Sequence, residues 1–149
     1  MTYKSEKDML DILQKLCDGL SQENITVQQV ADSIGSISKE NVTKMQLNIK
    51  PANPVFEEAM VVSEAEGKDA PSYVELQLGQ QSQMTLSSLE NAFGPSSSVP
   101  RTAHQTGRRV AMTCDISGQP YTCTIFANLS EGGEKVTRIT IRRDVRLPD

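Results

Sequence analysis

Residues 44–49 alternate polar and apolar side chains without a break: Met45, Leu47 and Ile49 point one way, Gln46 and Asn48 the other. A strand sends successive side chains to opposite faces, so such a run predicts a sheet with one buried and one wet face. The pattern returns at 73–78, where Val74, Leu76 and Leu78 alternate with Glu75 and Gln77. Three closing segments, RRVAMTCDI, YTCTIFANL and KVTRITIRR, read as strands joined by the turns SGQP and SEGGE. Strands joined by short turns pair antiparallel in a meander. The run VFEEAMVV, 55–62, has an apolar spacing that suits strand or short helix; its brevity and β-branched end favour strand.

Three stretches follow the helical period instead. In 5–19, Met9, Ile12, Leu13 and Leu16 form one apolar stripe that Leu20 continues, with Ser5 as the expected N-cap and Gly19 near the stop. In TVQQVADSIG, Thr26 is the expected cap, Val27, Val30, Ala31 and Ile34 share a face, and Gly35 is expected to end the helix in the left-handed conformation. The third, MTLSSLENAFGP at 84–95, repeats that grammar: Thr85, Leu86, Leu89, Phe93 and Gly94 stand where Thr26, Val27, Val30, Ile34 and Gly35 stood, and Pro95 forbids continuation. GPSSSVPRTAHQTG is expected to be a long flexible loop. The expected fold class is α+β, an antiparallel sheet with helices packed on one face. One domain over 1–149 would hold two tandem helix-plus-sheet repeats, 20–80 and 84–144. General helix grammar shared by chance explains the likeness of the two helices equally well.

A chain of 149 residues is long enough to bury a core without staples. It has no Trp, so the bulky core pieces are expected to be Phe56, Phe93, Phe126, Tyr73 and Tyr121. No apolar run approaches the length of a membrane span, and MTYKSEKDML lacks an apolar signal core, which favours a cytoplasmic protein. Charge is split. Residues 1–100 carry seven Lys, no Arg and fourteen acids, while 101–149 carry all seven Arg, one Lys and five acids. Glu57, Glu58, Glu64, Glu66 and Asp69 form the acidic candidate surface. Arg108, Arg109, Arg138 and Arg142 form the basic one, with Arg146 near it. Such a pair of surfaces suits self-pairing or a protein partner, and both also read as ordinary solvated faces. Nucleic acid is disfavoured, because no stacking aromatics interleave with the arginines and the chain is net acidic.

Catalytic chemistry finds little support. Ser36-Ile-Ser-Lys39 fits the Ser-x-x-Lys spacing of acyl-serine enzymes but lacks the companion motifs. His104, the only histidine, sits in a Ser/Thr/Gly-rich segment without a neighbouring acid to orient it. Cys17, Cys114 and Cys123 show no metal-ligand spacing, so neither metal nor cofactor is expected. A hairpin centred between Gly118 and Gln119 puts Cys114 opposite Cys123. Two reduced core thiols fit a cytoplasmic chain better than a strained cross-strand disulfide.

The segment MTLSSLENAFGP resembles the motif of the small outer-membrane assembly lipoproteins of the SmpA/BamE type: Met-Thr, a hydrophobic residue, and a hydrophobic-Gly-x-Pro ending. Here Pro95 follows Gly94 directly. In that family the helix leads into an antiparallel sheet. Two such units in tandem resemble the β-lactamase inhibitor protein fold, whose helix–helix–sheet repeats form a concave binding surface. The resemblance implies a fold and a sheet that binds another protein, and it transfers no individual residue. The combined expectation is a small, acidic, non-catalytic protein-binding module, an inhibitor or immunity protein that neutralises a toxin or enzyme by contact. A dimeric acidic secretion chaperone, an envelope assembly factor and an enzyme of unrecognised type remain as alternatives.

Overall fold

The computed structural model describes residues 2–38, 45–80, 82–100 and 107–146. Its elements run α1 (Thr2–Leu20), α2 (Val27–Ile34), β1 (Gly35–Ile37), β2 (Gln46–Pro51), β3 (Phe56–Ser63), β4 (Pro71–Leu78), α3 (Leu86–Phe93), β5 (Ser97–Val99), β6 (Arg109–Cys114), β7 (Tyr121–Leu129) and β8 (Val136–Val145). All eight strands join one sheet in the order β1-β2-β3-β4-β8-β7-β6-β5, and every pairing is antiparallel. The chain is therefore α+β with an antiparallel sheet. The segment VFEEAMVV forms strand β3 from Phe56 onward, as its β-branched end favours.

From α2 onward the element order in the two halves is the same: one helix, then four strands. The last strand of each half lies at the centre, where β4 pairs with β8. The helix starts are anchored alike. The Val27 amide donates to the Asp69 carbonyl in the β3–β4 turn at 2.7 Å, and the Leu86 amide donates to the Glu134 carbonyl in the β7–β8 turn at 2.9 Å. Those amides have no partner within their own helices, so a nearby turn carbonyl is a natural acceptor.

Both threonine caps form. Thr26 Oγ1 accepts from the Gln29 amide, and Gln29 Oε1 accepts from the Thr26 amide, a full capping box. Thr85 accepts from the Ser88 amide at 3.4 Å, a longer single bond. Thr26→Ala is expected to cost about 1 kcal/mol in urea unfolding and Thr85→Ala less.

The two helix stops differ from each other. Gly94 is left-handed, with φ +98°, whereas Gly35 is extended at φ 174° and opens β1 directly. Glycine is needed at 35 for space: a Cβ there would run into the Lys50 carbonyl on β2. Ser5 is not a cap, because the backbone is helical from Thr2, and α1 runs through Gly19 to Leu20. Two three-residue edge strands went unread, since β1 and β5 are too short to show a period and lie in Ser-rich sequence. The expected flexible loop at 94–107 thus contains β5, and its residues 101–106, His104 among them, lie outside the described residues.

The core occupies one face of the sheet. Across the central strands Ala59, Leu76, Ile139, Ala127 and Val110 form one buried row, and Val61, Val74, Ile141, Ile125 and Met112 form the next. Met9, Leu13 and Leu16 of α1, Val30, Ala31 and Ile34 of α2, and Leu86 and Leu89 of α3 pack into this same cluster. The apolar faces of all three helices are used on one side of the sheet, which leaves the other side without a helix. No described helix is long and apolar enough to cross a membrane.

Candidate functional site

Because the side-chain period of a strand is two, every residue between two core positions belongs to the opposite face. Register builds that face in rows. Asn48, Met60, Glu75, Thr140, Phe126 and Ala111 lie side by side. Gln46, Val62, Tyr73, Arg142, Thr124 and Thr113 form the neighbouring row. Glu58, Gln77, Arg138, Asn128 and Arg109 form the row on the other side. Most of these side chains are half-buried. Phe126 and Tyr73, expected in the core, therefore stand on the open face instead; Phe56 is buried as expected.

Of the candidate residues, Glu57, Glu58, Arg109, Arg138 and Arg142 come together here. A register shift between Phe56 and Glu58 leaves both Glu57 and Glu58 exposed. With Gln46, Asn48, Lys50, Met60, Glu75 and Arg138 they line an open depression of about 580 Å³. Arg138 reaches Glu75 across the β4–β8 joint at 3.6 Å. Both groups are substantially exposed, and such a pair contributes at most about 1 kcal/mol.

The β6–β8 side of the face is organised around Phe126. The Arg109 guanidinium carbon lies 4.3 Å from the ring centroid and that of Arg142 lies 5.1 Å from it. Arg142 Nε donates to Asp144 Oδ1 at 2.8 Å, and Asp144 Oδ2 accepts from the Thr124 hydroxyl at 2.7 Å. Arg109 has no such counter-charge: it pairs with no carboxylate among the described residues, and its Nε is buried without an acceptor. Among the named residues the face runs from acidic (Lys50 against Glu57, Glu58 and Glu75) to basic (Arg109, Arg138 and Arg142 against Asp144).

The remaining candidates lie elsewhere. Glu64, Glu66 and Asp69 belong to the β3–β4 turn at the ends of the strands. Arg108 precedes β6 and pairs with Glu134 at 2.7 Å, where both are well exposed. Arg146 binds Asp115 and the Gln119 and Ile116 carbonyls, closing the β6–β7 turn, and this pairing holds the Asp115 carboxyl below its usual range.

One arginine that sequence reading passed over is a structural clamp. The Arg143 side chain is 2% exposed. Its Nε donates to the Leu20 carbonyl at 2.9 Å, and Nη2 donates to the carbonyls of Gln22 and Glu23 at 2.6 and 3.1 Å. The guanidinium also lies 3.5 Å from the Tyr121 ring centroid and 3.6 Å from Glu64. It satisfies carbonyls at the C-terminus of α1, where a cation is favoured by the helix dipole. The signal was legible: residue 143 continues the odd-numbered series of Ile139 and Ile141, so it faces inward.

Cys114 and Cys123 are directly opposed, as the hairpin arithmetic requires, and all three cysteines are free and buried. Cys17 of α1 meets both. Hydrogen bonds to Cys114 and Cys123, together with burial, push its thiol well above the ordinary range. Ser21 donates to the Cys17 carbonyl at 2.7 Å and lies 3.8 Å from Cys123 Sγ, which completes a buried polar seam under α1. A thiol reagent should find almost no reactive cysteine in the native protein and three after unfolding without reductant. Only one on unfolding would mean a disulfide.

No group of three or more metal-ligating side chains gathers among the described residues. Ser36 lies in β1, whereas Lys39 is outside the described residues, so the Ser-x-x-Lys spacing acquires no geometry. Comparison with known proteins returned no match: no family model fits the chain, and neither the curated proteins nor the solved structures include one significantly similar to it.

Proposed function

We propose that the chain is a non-catalytic protein-binding module that blocks a toxin or enzyme by direct contact through the open face of its sheet. The observation that carries the reading is that face itself. An eight-stranded sheet has its helices on one side, and the other side presents half-buried aromatic, threonine and charged residues in register. A rigid sheet presents such side chains with little entropy left to lose on binding. Aromatic and arginine side chains are the types that most often anchor protein interfaces. The split charge adds steering toward a partner of complementary pattern. The matched helix anchors at Asp69 and Glu134 support the further reading that the halves are tandem repeats, which links this fold to the inhibitor-like arrangement expected from MTLSSLENAFGP.

The test is affinity purification of the tagged protein from its own host, then reconstitution with the purified partner. The expected result is one stoichiometric protein whose activity falls when the chain is added. The block should weaken at least tenfold in Tyr73→Ala or Phe126→Ala. An empty purification with well-folded bait, or a partner whose activity is unaffected, would overturn the proposal.

A further inference from the structure

We propose that Arg109, Phe126 and Arg142 form an anchor site for a carboxylate side chain carried by a protein partner. The inference rests on the protein-binding reading and names the chemistry its partner brings to β6–β8. Three observations carry it. First, Arg109 lies over the Phe126 ring at 4.3 Å, a contact that fixes the guanidinium while leaving its terminal nitrogens to bond a carboxylate. Second, the cation is uncompensated: Arg109 pairs with no carboxylate among the described residues, and its Nε is buried with no acceptor, so an arriving carboxylate would bond the terminal nitrogens. A partly desolvated cation without a counter-ion is costly in the free protein, so an arriving anion gains more there than at an exposed arginine. Third, Arg142 flanks the same ring at 5.1 Å and is already oriented by Asp144, which is itself held by Thr124. The neighbouring acid limits the site to one further negative charge.

The acidic half of the face lies across β4 and β3, so one partner segment crossing the strands would meet arginines at one end and glutamates at the other. A carboxylate over Phe126 fixes its register. Arg108, which is exposed and already paired with Glu134, is the built-in control.

The probe is a twelve-residue peptide of alternating glutamate and threonine, titrated into the intact protein and followed by NMR at the arginine Nε–Hε and aromatic resonances. The expected result is saturable shifts at Arg109, Arg142 and Phe126. Affinity should fall at least fivefold in Arg109→Gln and in Arg142→Gln and stay unchanged in Arg108→Gln. Amide dispersion identifies any variant that fails to fold, and two independent variants keep the test decisive. The proposal is overturned by an absence of saturation up to millimolar peptide or by equal loss in Arg108→Gln. It is also overturned by saturation with inorganic phosphate at lower concentration than with peptide, which would mean a small-oxyanion site. Concentration-dependent shifts at Phe126 without peptide would assign the face to a second copy of the chain and overturn it too. A natural partner that binds Arg109→Gln with unchanged affinity would leave the module reading standing and remove the anchor. Recovery of no partner removes the module reading, while the peptide titration still reads the site.

Discussion

Arg143→Met should lower the unfolding free energy by about 3 kcal/mol, which for a chain of this size is roughly 6–12 °C in Tm. The size follows from asymmetry. Methionine fills much of the same space, but the Leu20, Gln22 and Glu23 carbonyls remain where they are and lose their donor. Leu20 is fully buried, so water cannot easily replace the guanidinium at its carbonyl; the Gln22 and Glu23 bonds are only part-buried and count for less. Glu64 also loses its partner, at small cost because it is exposed. Arg143→Lys keeps the charge but cannot reach three carbonyls as a planar fork, so about half the loss should remain. Arg142→Met, one residue away on the opposite face, should change stability by less than about 0.5 kcal/mol. Equal effects at 142 and 143 would show that the clamp contributes nothing. Hydrogen exchange adds a local readout, since the last turn of α1 should lose protection first in Arg143→Met.

Ile141→Ala carries the largest expected cost, about 4 kcal/mol, and should lower the urea midpoint with no change in slope. Ile141 is fully buried between Val74 of β4 and Ile125 of β7, so its methyls span the joint where the two halves of the sheet meet. Strands hydrogen-bonded on both sides cannot close in on the missing volume, which places the site toward the upper end of the usual range for such truncations. Thr140→Ala, its neighbour on the open face, serves as the comparison and should fall within about 1 kcal/mol of the parent. If the two variants behave alike, the joint is not where the core is concentrated.

Strict alternation revealed β2 and β4, because a half-buried strand must write its two faces in turn. The cap residues Thr26 and Thr85 were legible for an equally local reason: an orphan amide three residues on needs an acceptor. What escaped was set by distant neighbours. Gly35 was read as a left-handed stop, but its requirement comes from the Lys50 carbonyl on the adjoining strand. Phe126 was assigned to the core on size alone, although its even-numbered position between Ile125 and Ala127 already placed it outside. Of the charged candidates, Arg138 and Arg142 alternate with Ile139 and Ile141 along β8, and that parity puts them on the open face. Glu64, Glu66 and Asp69, close in sequence to Glu57 and Glu58, lie apart from them in the β3–β4 turn, and Arg108 pairs with Glu134 before β6 begins. The pairing of Arg109 with Phe126 needs the β6–β7 register, which composition does not contain.

The position of β8 has a consequence for how the protein is made. It is the last strand in the chain order, yet it lies in the middle of the sheet, between β4 and β7. During synthesis both of those strands must wait with an open hydrogen-bonding edge and with Val74, Leu76 and Ile125 uncovered. The β4–β8 pairing is distant in sequence and closes slowly, and a waiting apolar edge is a template for intermolecular pairing. A nascent chain that stalls or stops before residue 136 should therefore aggregate rather than fold in part, and the finished protein should refold most cleanly at high dilution. Completion of the sheet therefore hangs on the delivery of β8, the strand that joins β4 to β7.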